Sequence, residues 1–254
     1  MVRYKEIDIL KGIAIICMVI FHFFYFPNQY GFKEIRYDTP LLKTLAKIAQ
    51  FIFIGAVGIN LTLSKDKSIK NEESIEDYNK RSLQRIIKIS IFAILMSIFT
   101  YIIFKEKFVK FGILHFIAIS SLLLFPLVDK QLIIQVITII SIFIYYLIKY
   151  KSSTFSKVSS PLAFILGINN NNNYTSIDHF PIFPWIIIIL IGISIGHVIK
   201  DNKPLLSNSF KNNTFSRILE KTGKFSLEIY AVHWVVLYII FCQLYSKKIR
   251  PNLI

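Results

Sequence analysis

The chain has 254 residues, 54% of them apolar, and a formal charge of +15 at pH 7. Its mean hydropathy is +0.54, and the apolar residues fall in long runs with Lys and Arg between them, which excludes a soluble globular protein and predicts a polytopic membrane protein. The charge is then explained by topology and anionic lipid, so no nucleic-acid partner is expected.

Seven apolar runs are close to the roughly 20 residues that a bilayer core requires. In chain order they are 7–26, 41–63, 86–104, 111–128, 132–148, 181–199 and 226–245. An eighth run, 161–168, is too short to cross and is interpreted as a half-helix or interfacial segment. We expect an all-α, polytopic integral membrane bundle, a single domain over 1–254, with about seven transmembrane helices plus that half-helix.

The basic residues of the connections predict the orientation, because cytoplasmic connections carry an excess of Lys and Arg. Their distribution favours, by a small margin, an amino terminus on the cytoplasmic side of the cell membrane. The first run contains ionisable residues and is followed by no small-residue cleavage site, so it is a retained span and not a signal peptide.

The first run carries the most informative pattern of the chain. Lys11 and His22 are separated by eleven residues, about three helical turns plus 20°, so Asp8, Lys11 and His22 share one stripe of a helix. An ionisable residue inside a span costs about 2.5–3.5 kcal/mol on insertion scales and usually faces a cavity or a partner. Lys11 could meet anionic groups of a donor or pair with Asp8 one turn away, and both alternatives stay open.

Three basic residues, Arg81, Arg85 and Lys88, stand where the charged connection 65–85 enters the third run. Their helical spacing would allow them to meet the phosphates of a nucleotide-like donor. The alternative, which we favour, is a solvated loop with a basic collar that sets topology.

Imidazoles and a carboxylate lie near the outer ends of three spans. With the amino terminus inside, His22 on the first span, His115 on the fourth, and Asp178 with His179 before the sixth lie towards the same side. Neutral imidazole is the usual base for a hydroxyl or amine near pH 7, and a carboxylate can orient it. The alternative for each residue alone is a position at headgroup level.

We expect His22 and His115 to be catalytic. His233 lies deeper in the last span, where it could hydrogen-bond a neighbouring helix or line a cavity. The expected substrate-binding residues are Asp8, Lys11, Asp178, His179 and His233. The sequence has no glycine-rich phosphate loop and no HExxH motif, and neither a serine-triad hydrolase nor a metal site is expected.

Six segments, taken in order, resemble the small prokaryotic members of the heparan-alpha-glucosaminide N-acetyltransferase catalytic-domain family over about residues 3–245. They are RYKEIDILKGIAIICMVIFHFFYF, FIFIGAVGINLTLS, RSLQRIIKI, FGILHFIAIS, FPIFPWIIIILIGISIG and GKFSLEIYAVHWVVLY. Lys11-x10-His22 is also similar to the Arg/Lys-x10-His pattern of the wider transmembrane acyltransferase superfamily, which acylates surface polysaccharides.

The resemblance implies a membrane-embedded O- or N-acyltransferase that takes an acyl group, usually acetyl, from cytoplasmic acyl-CoA to a sugar on the other side. It implies that His22 is the catalytic histidine and that Lys11 handles the donor. The lysosomal members resemble this chain with their catalytic histidine in the loop after the first span, whereas residues 27–42 contain none, so His22 would take that role. The implied donor substrate is acetyl-CoA, and the implied acceptor is an envelope glycan or lipid-linked sugar.

Two other classes of function stay open. A small transporter or lipid-linked-sugar carrier would line a proton or substrate path with Asp8, Lys11 and the histidines. A non-catalytic scaffold would use its polar residues to join helices. Binding of acyl-CoA separates the enzyme from the carrier. The expected partners are the lipid bilayer, acyl-CoA and the sugar acceptor, with a homo-oligomer as a further option.

Overall fold

The computed structural model describes residues 4–29, 35–150, 160–168, 175–200 and 213–245. Helices form the regular structure of these residues: α1 Lys5–Gln29, α2 Pro40–Lys70, α3 Ile75–Phe104, a 3-10 turn Lys105–Lys107, α4 Ile113–Leu124, α5 Gln131–Tyr150, α6 Pro161–Leu166, α7 Ile182–Lys200, α8 Thr214–Lys224 and α9 Ser226–Tyr245. Six of them (α1, α2, α3, α5, α7 and α9) are long and apolar enough to cross a membrane. The chain is therefore an all-helical, polytopic membrane protein, as predicted.

Only part of the fourth apolar run forms a helix. Of 111–128, only the 12 residues of α4 are helical, and residues 125–129 form turns. Pro126 ends the helix because it has no backbone N–H to donate to the preceding turn. The short helix expected near 161–168 is present as α6.

The charged connection 65–85 is largely helical, which corrects the expectation of a solvated loop. Near the end of α2, Asp66 pairs with Lys70 at 2.7 Å one helical turn away. The Ser74 side chain caps α3 by accepting a hydrogen bond from the backbone N–H of Asp77 at 3.1 Å. Such pairs and caps stabilise helix ends by roughly 0.3 to 1 kcal/mol, so both helices extend into the charged segment.

The described helices group into two compact units. Unit one contains α1, α8, α9 and the part of α2 up to residue 53. Unit two contains the rest of α2 and the helices α3 to α7. The expectation of a single acyltransferase-like domain over 1–254 stays a prediction.

In unit one, glycines bring α1 and α8 into close contact. A Cβ placed on Gly12 would overlap the backbone carbonyl of Leu219, and one placed on Gly223 would overlap the carbonyl of Asp8. Helix α8 was not expected, because the connection 200–225 contains no apolar run. Its turn-by-turn burial of Leu219 and Gly223 against α1 shows that it is an amphipathic helix.

In unit two, small residues bring α2 against α7. A Cβ on Gly58 would overlap the backbone at Ile189, and one on Gly192 would overlap the carbonyl of Gly55. Thr62 on α2 donates a hydrogen bond to the carbonyl of Ile193 at 3.1 Å. Close backbone approach through small residues, with hydrogen bonds between the helices, is the usual packing of transmembrane helices.

The segment from Gly192 to Gly196 reads Gly-Ile-Ser-Ile-Gly and matches G-x-S-x-G, the sequence pattern of a serine nucleophile elbow. A nucleophile elbow needs a sharp turn between a strand and a helix. Ser194 instead lies inside α7 and donates to the carbonyl of Leu190 at 3.2 Å. Both glycines serve helix packing.

Changing Gly58 to Ala should destabilise the protein by about 1–3 kcal/mol, because the added methyl group meets backbone atoms of α7 that cannot move without shifting the helix. The apparent melting temperature in detergent measures this effect. Gly55→Ala is the matched control: among the described atoms, a Cβ there has none within 4 Å. Equal melting temperatures for the two variants would contradict the close contact at Gly58.

Candidate active site

In unit one, His22 on α1 lies beside His233 on α9. The Nε2 atom of His233 is 2.9 Å from the Nδ1 atom of His22, and the two ring planes are 24° apart. The Nδ1 atom of His233 is 2.5 Å from the backbone carbonyl oxygen of Tyr230. Both distances are those of hydrogen bonds, so two imidazoles to which the sequence assigned separate roles form one hydrogen-bonded pair.

Apolar side chains hold the His22–His233 pair in place. Phe26, which is fully buried, stacks on the His22 ring at 4.8 Å between centroids with 5° between planes. Trp234 lies 5.6 Å from the same ring, and the Met18 sulfur is 3.0 Å from Nδ1 of His22. In such low-polarity surroundings a hydrogen bond is electrostatically stronger than in water. His233 is buried, whereas His22 keeps part of its surface exposed.

Lys11, on the same helix as His22, forms an ion pair. Its Nζ atom lies 2.8 Å from Oδ1 of Asp8, and the two side chains are only 16% and 5% exposed. Of the two alternatives for Lys11, the pair with Asp8 is therefore present. Eleven residues of helix rise about 16 Å, so Lys11 lies far from the His22 ring along α1. A role for Lys11 towards the donor stays a prediction.

In unit two, His115 uses both ring nitrogens near the start of α4. Its Nδ1 accepts a hydrogen bond from the backbone N–H of Gly112 at 3.3 Å, and its Nε2 is 3.2 Å from Oγ of Ser97. The Ser97 hydroxyl in turn donates to the carbonyl of Val109 at 2.6 Å. His115 thus occupies the place that Glu or Gln takes in a capping box. Its expected catalytic role stays a prediction.

Asp178 and His179 precede α7 and also have structural partners. Oδ2 of Asp178 accepts from the backbone N–H of Ile113 at 3.3 Å, which places Asp178 and His115 together at the amino end of α4. Nε2 of His179 is 3.0 Å from the carbonyl of Phe164, and the two rings stack. Burial lowers the pKa of His179, partly opposed by the bond to Phe164, so the ring is neutral near pH 7.

The basic residues at the start of α3 lie against the end of α2. Arg85 donates to Oγ of Ser64 at 2.8 Å, and Arg81 pairs with Glu73 at 2.8 Å. Lys88 is exposed. Arg81 and Arg85 thus tie the start of α3 to the end of α2 and to Glu73 in the connection between the two helices.

Sequence reasoning missed that His22 and His233 pair with each other. A signal was present: each imidazole lies in an apolar run, where a polar group without a partner costs several kcal/mol. That signal predicts a partner for each ring without naming it. Among the described residues, no group of three His, Cys, Asp or Glu side chains is placed to hold a metal ion, and the expectation of no metal stays a prediction.

Replacing Asp178 with Ala should destabilise the protein by about 0.5–2 kcal/mol, because the N–H of Ile113 at the start of α4 loses its acceptor. Asp178→Asn is the control, since its amide oxygen can still accept that hydrogen bond. Thermal unfolding of the two variants in detergent checks the difference. A melting temperature for Asp178→Ala equal to that of the wild type would show that the cap contributes nothing.

Comparison with known proteins adds the family. The family model described as heparan-alpha-glucosaminide N-acetyltransferase, catalytic, matches residues 3–235. The match extends from α1 into α9 and contains both members of the His22–His233 pair. No curated protein and no solved structure matches the chain. Since the family model covers most of the sequence, the chain belongs to the heparan-alpha-glucosaminide N-acetyltransferase catalytic family, and this membership implies a membrane acetyltransferase.

Proposed function

We propose that this protein moves an acetyl group from cytoplasmic acetyl-CoA to a hydroxyl or amine of an envelope glycan or lipid-linked sugar on the far side of the cell membrane. The amino terminus then lies in the cytoplasm. The observation that carries the proposal is the His22–His233 pair, a base held at fixed orientation among apolar side chains of a membrane helix. Heparan is the substrate in the family's name, and a sugar of the cell envelope is the corresponding acceptor here.

His22 acts as the general base of this reaction. Its Nδ1 atom faces His233 and Met18, so Nε2 is the nitrogen left to face a substrate. The acceptor oxygen or nitrogen attacks the thioester carbonyl, the bond between carbon and sulfur breaks, and Nε2 takes the acceptor's proton and returns it to the CoA sulfur. Attack by the same nitrogen, with an acetyl-histidine intermediate, is the alternative route.

The acceptor side of the proposal uses the loop before α7. His179 bonds Phe164 through Nε2, which leaves Nδ1 as an acceptor for a sugar hydroxyl. His115 and Asp178 support this role by holding the start of α4. His179 is thus the substrate-binding candidate of unit two, and the other two residues support it indirectly.

Two sets of cations are candidates for the phosphates of the donor. Lys11 is the residue that the superfamily pattern favours, but Asp8 already neutralises its charge. Arg85 donates to the neutral hydroxyl of Ser64, and the nearby carboxylate of Glu73 is already paired with Arg81, so the charge of Arg85 is less compensated than that of Lys11. Arg85 is therefore the stronger candidate on electrostatic grounds.

Changing His22 to Ala should lower acetyl transfer by about 10²–10⁴-fold, the usual contribution of a positioned general base. Purified protein in lipid is supplied with radiolabelled acetyl-CoA and a mixture of envelope glycans and lipid-linked sugars, and labelled acceptor is counted. His197→Gln is the control, since His197 bonds the carbonyl of Val128 and has no place in the proposed reaction. Acetyl transfer by His22→Ala at the wild-type rate would contradict the proposal.

Acetyl-CoA binding, measured calorimetrically on detergent-purified protein, should be micromolar and about ten-fold weaker in Arg85→Gln, because one charge-assisted contact with phosphate is lost. Lys11→Gln tests the other cation, and Lys149→Gln, at the far end of α5, is the charge control. If acetyl-CoA binding weakened in Lys11→Gln alone, the phosphates would be bound at α1 and not at Arg85. No binding at millimolar acetyl-CoA by folded wild-type protein would favour a carrier over an enzyme.

A further inference from the structure

The hydrogen bonds of His233 determine which of its nitrogens carries the proton. The carbonyl of Tyr230, 2.5 Å from Nδ1 of His233, can only accept. Nδ1 of His233 therefore carries the hydrogen. A neutral imidazole has one N–H and one lone pair, so Nε2 of His233 holds a lone pair and must accept.

The position of the hydrogen on His233 determines the position of the hydrogen on His22. Its Nδ1 faces the accepting Nε2 of His233 at 2.9 Å, so Nδ1 of His22 must donate. The second neighbour of this nitrogen, the Met18 sulfur at 3.0 Å, is a weak acceptor with no hydrogen to give. Two acceptors thus converge on Nδ1 of His22, and Nε2 of His22 holds the lone pair.

We propose that His233 is a positioning residue, which holds His22 in the Nδ1–H form and shares the proton that His22 takes up. The proposal rests on the proposed function, in which Nε2 of His22 is the base. Nδ1–H of His22 donates to Nε2 of His233, and Nδ1–H of His233 donates to the carbonyl of Tyr230. This chain of hydrogen bonds keeps the lone pair of His22 on its Nε2 atom, which does not contact His233. Loss of His233 would allow the hydrogen to move to Nε2 and would block the base.

The proton balance of the pair is as follows. When Nε2 of His22 takes the acceptor's proton, the hydrogen on Nδ1 of His22 shifts to Nε2 of His233. The positive charge then lies on His233, where its Nδ1–H still donates to the Tyr230 carbonyl. When Nε2 of His22 gives its proton to the CoA sulfur, the hydrogen returns from His233 to Nδ1 of His22, and the pair regains its first state.

A second imidazole suits these surroundings better than a carboxylate. A carboxylate partner would be a permanent charge among Phe26, Trp234 and the Met18 side chain, and an ion buried there carries a large desolvation penalty. His233 is uncharged at rest and carries charge only while His22 holds the acceptor's proton. The pair thereby does the orienting work of a carboxylate without a resting charge in the membrane.

The other histidines provide an internal contrast. The chain has five in all. His179 and His197 donate through Nε2 to the carbonyls of Phe164 and Val128. His115 accepts at Nδ1 from the Gly112 N–H and so carries its hydrogen on Nε2. We expect three Nε2–H rings and two Nδ1–H rings, and the two are His22 and His233.

Nitrogen-15 NMR of ring-labelled histidine in protein reconstituted in lipid tests this assignment. The wild type should show two Nδ1–H rings, with a coupling between Nδ1 of His22 and Nε2 of His233 across the hydrogen bond. In His233→Leu the ring of His22 should change to Nε2–H. His233→Gln, whose amide oxygen can accept in place of Nε2, should keep His22 in the Nδ1–H form. His197→Leu is the matched control and should leave the His22 signals unchanged.

The same variants are assayed for acetyl transfer. His233→Leu should lower kcat about 100-fold with little change in the KM for acetyl-CoA, and His233→Gln should recover part of the loss. An Nε2–H ring at His22 in the wild type, or an unchanged His22 tautomer in His233→Leu, would overturn the inference even if the protein transfers acetyl. The expected tautomers in a protein that transfers no acetyl would support the pairing and refute the proposed function.

Discussion

The structure depends on one constraint: a polar group inside an apolar helix must find its partner within the protein, because the hydrocarbon of a bilayer offers none. His22 meets it with His233, and Thr62 meets it with the carbonyl of Ile193. Lys11 meets it with Asp8. The first two of these partnerships also set the position of a ring or a helix, because they join different helices. The same constraint therefore satisfies the polar groups and positions the His22–His233 pair.

Close packing through small residues makes these partnerships possible. In unit one, α1 contacts α8 at Gly12 near its amino-terminal end and contacts α9 through His22 further along. A helix held at two points along its length has little freedom to rotate or slide. Gly12 therefore contributes to the His22–His233 distance although it lies ten residues away on the same helix.

His115 and His22 differ in how their hydrogen bonds are distributed over the two ring nitrogens. His115 has a backbone N–H on one nitrogen and a hydroxyl on the other, an arrangement that secures the start of α4. His22 has both of its described acceptors on one nitrogen. The contacts of His22 therefore leave its Nε2 atom without a described partner, whereas those of His115 hold both of its ring nitrogens at the start of α4.

By itself the sequence determined the all-helical membrane architecture, because runs of about 20 apolar residues have few other uses, and it placed Asp8, Lys11 and His22 on one stripe through helical periodicity alone. Local signals of capping and pairing at Ser74 and Asp66 could also have predicted helix in 65–85. Only the tertiary structure decided that His233 is the partner of His22 and that Ser97 is the partner of His115. Residues 22 and 233 are 211 positions apart, and periodicity describes one helix at a time, whereas the packing of helices selects which polar groups meet.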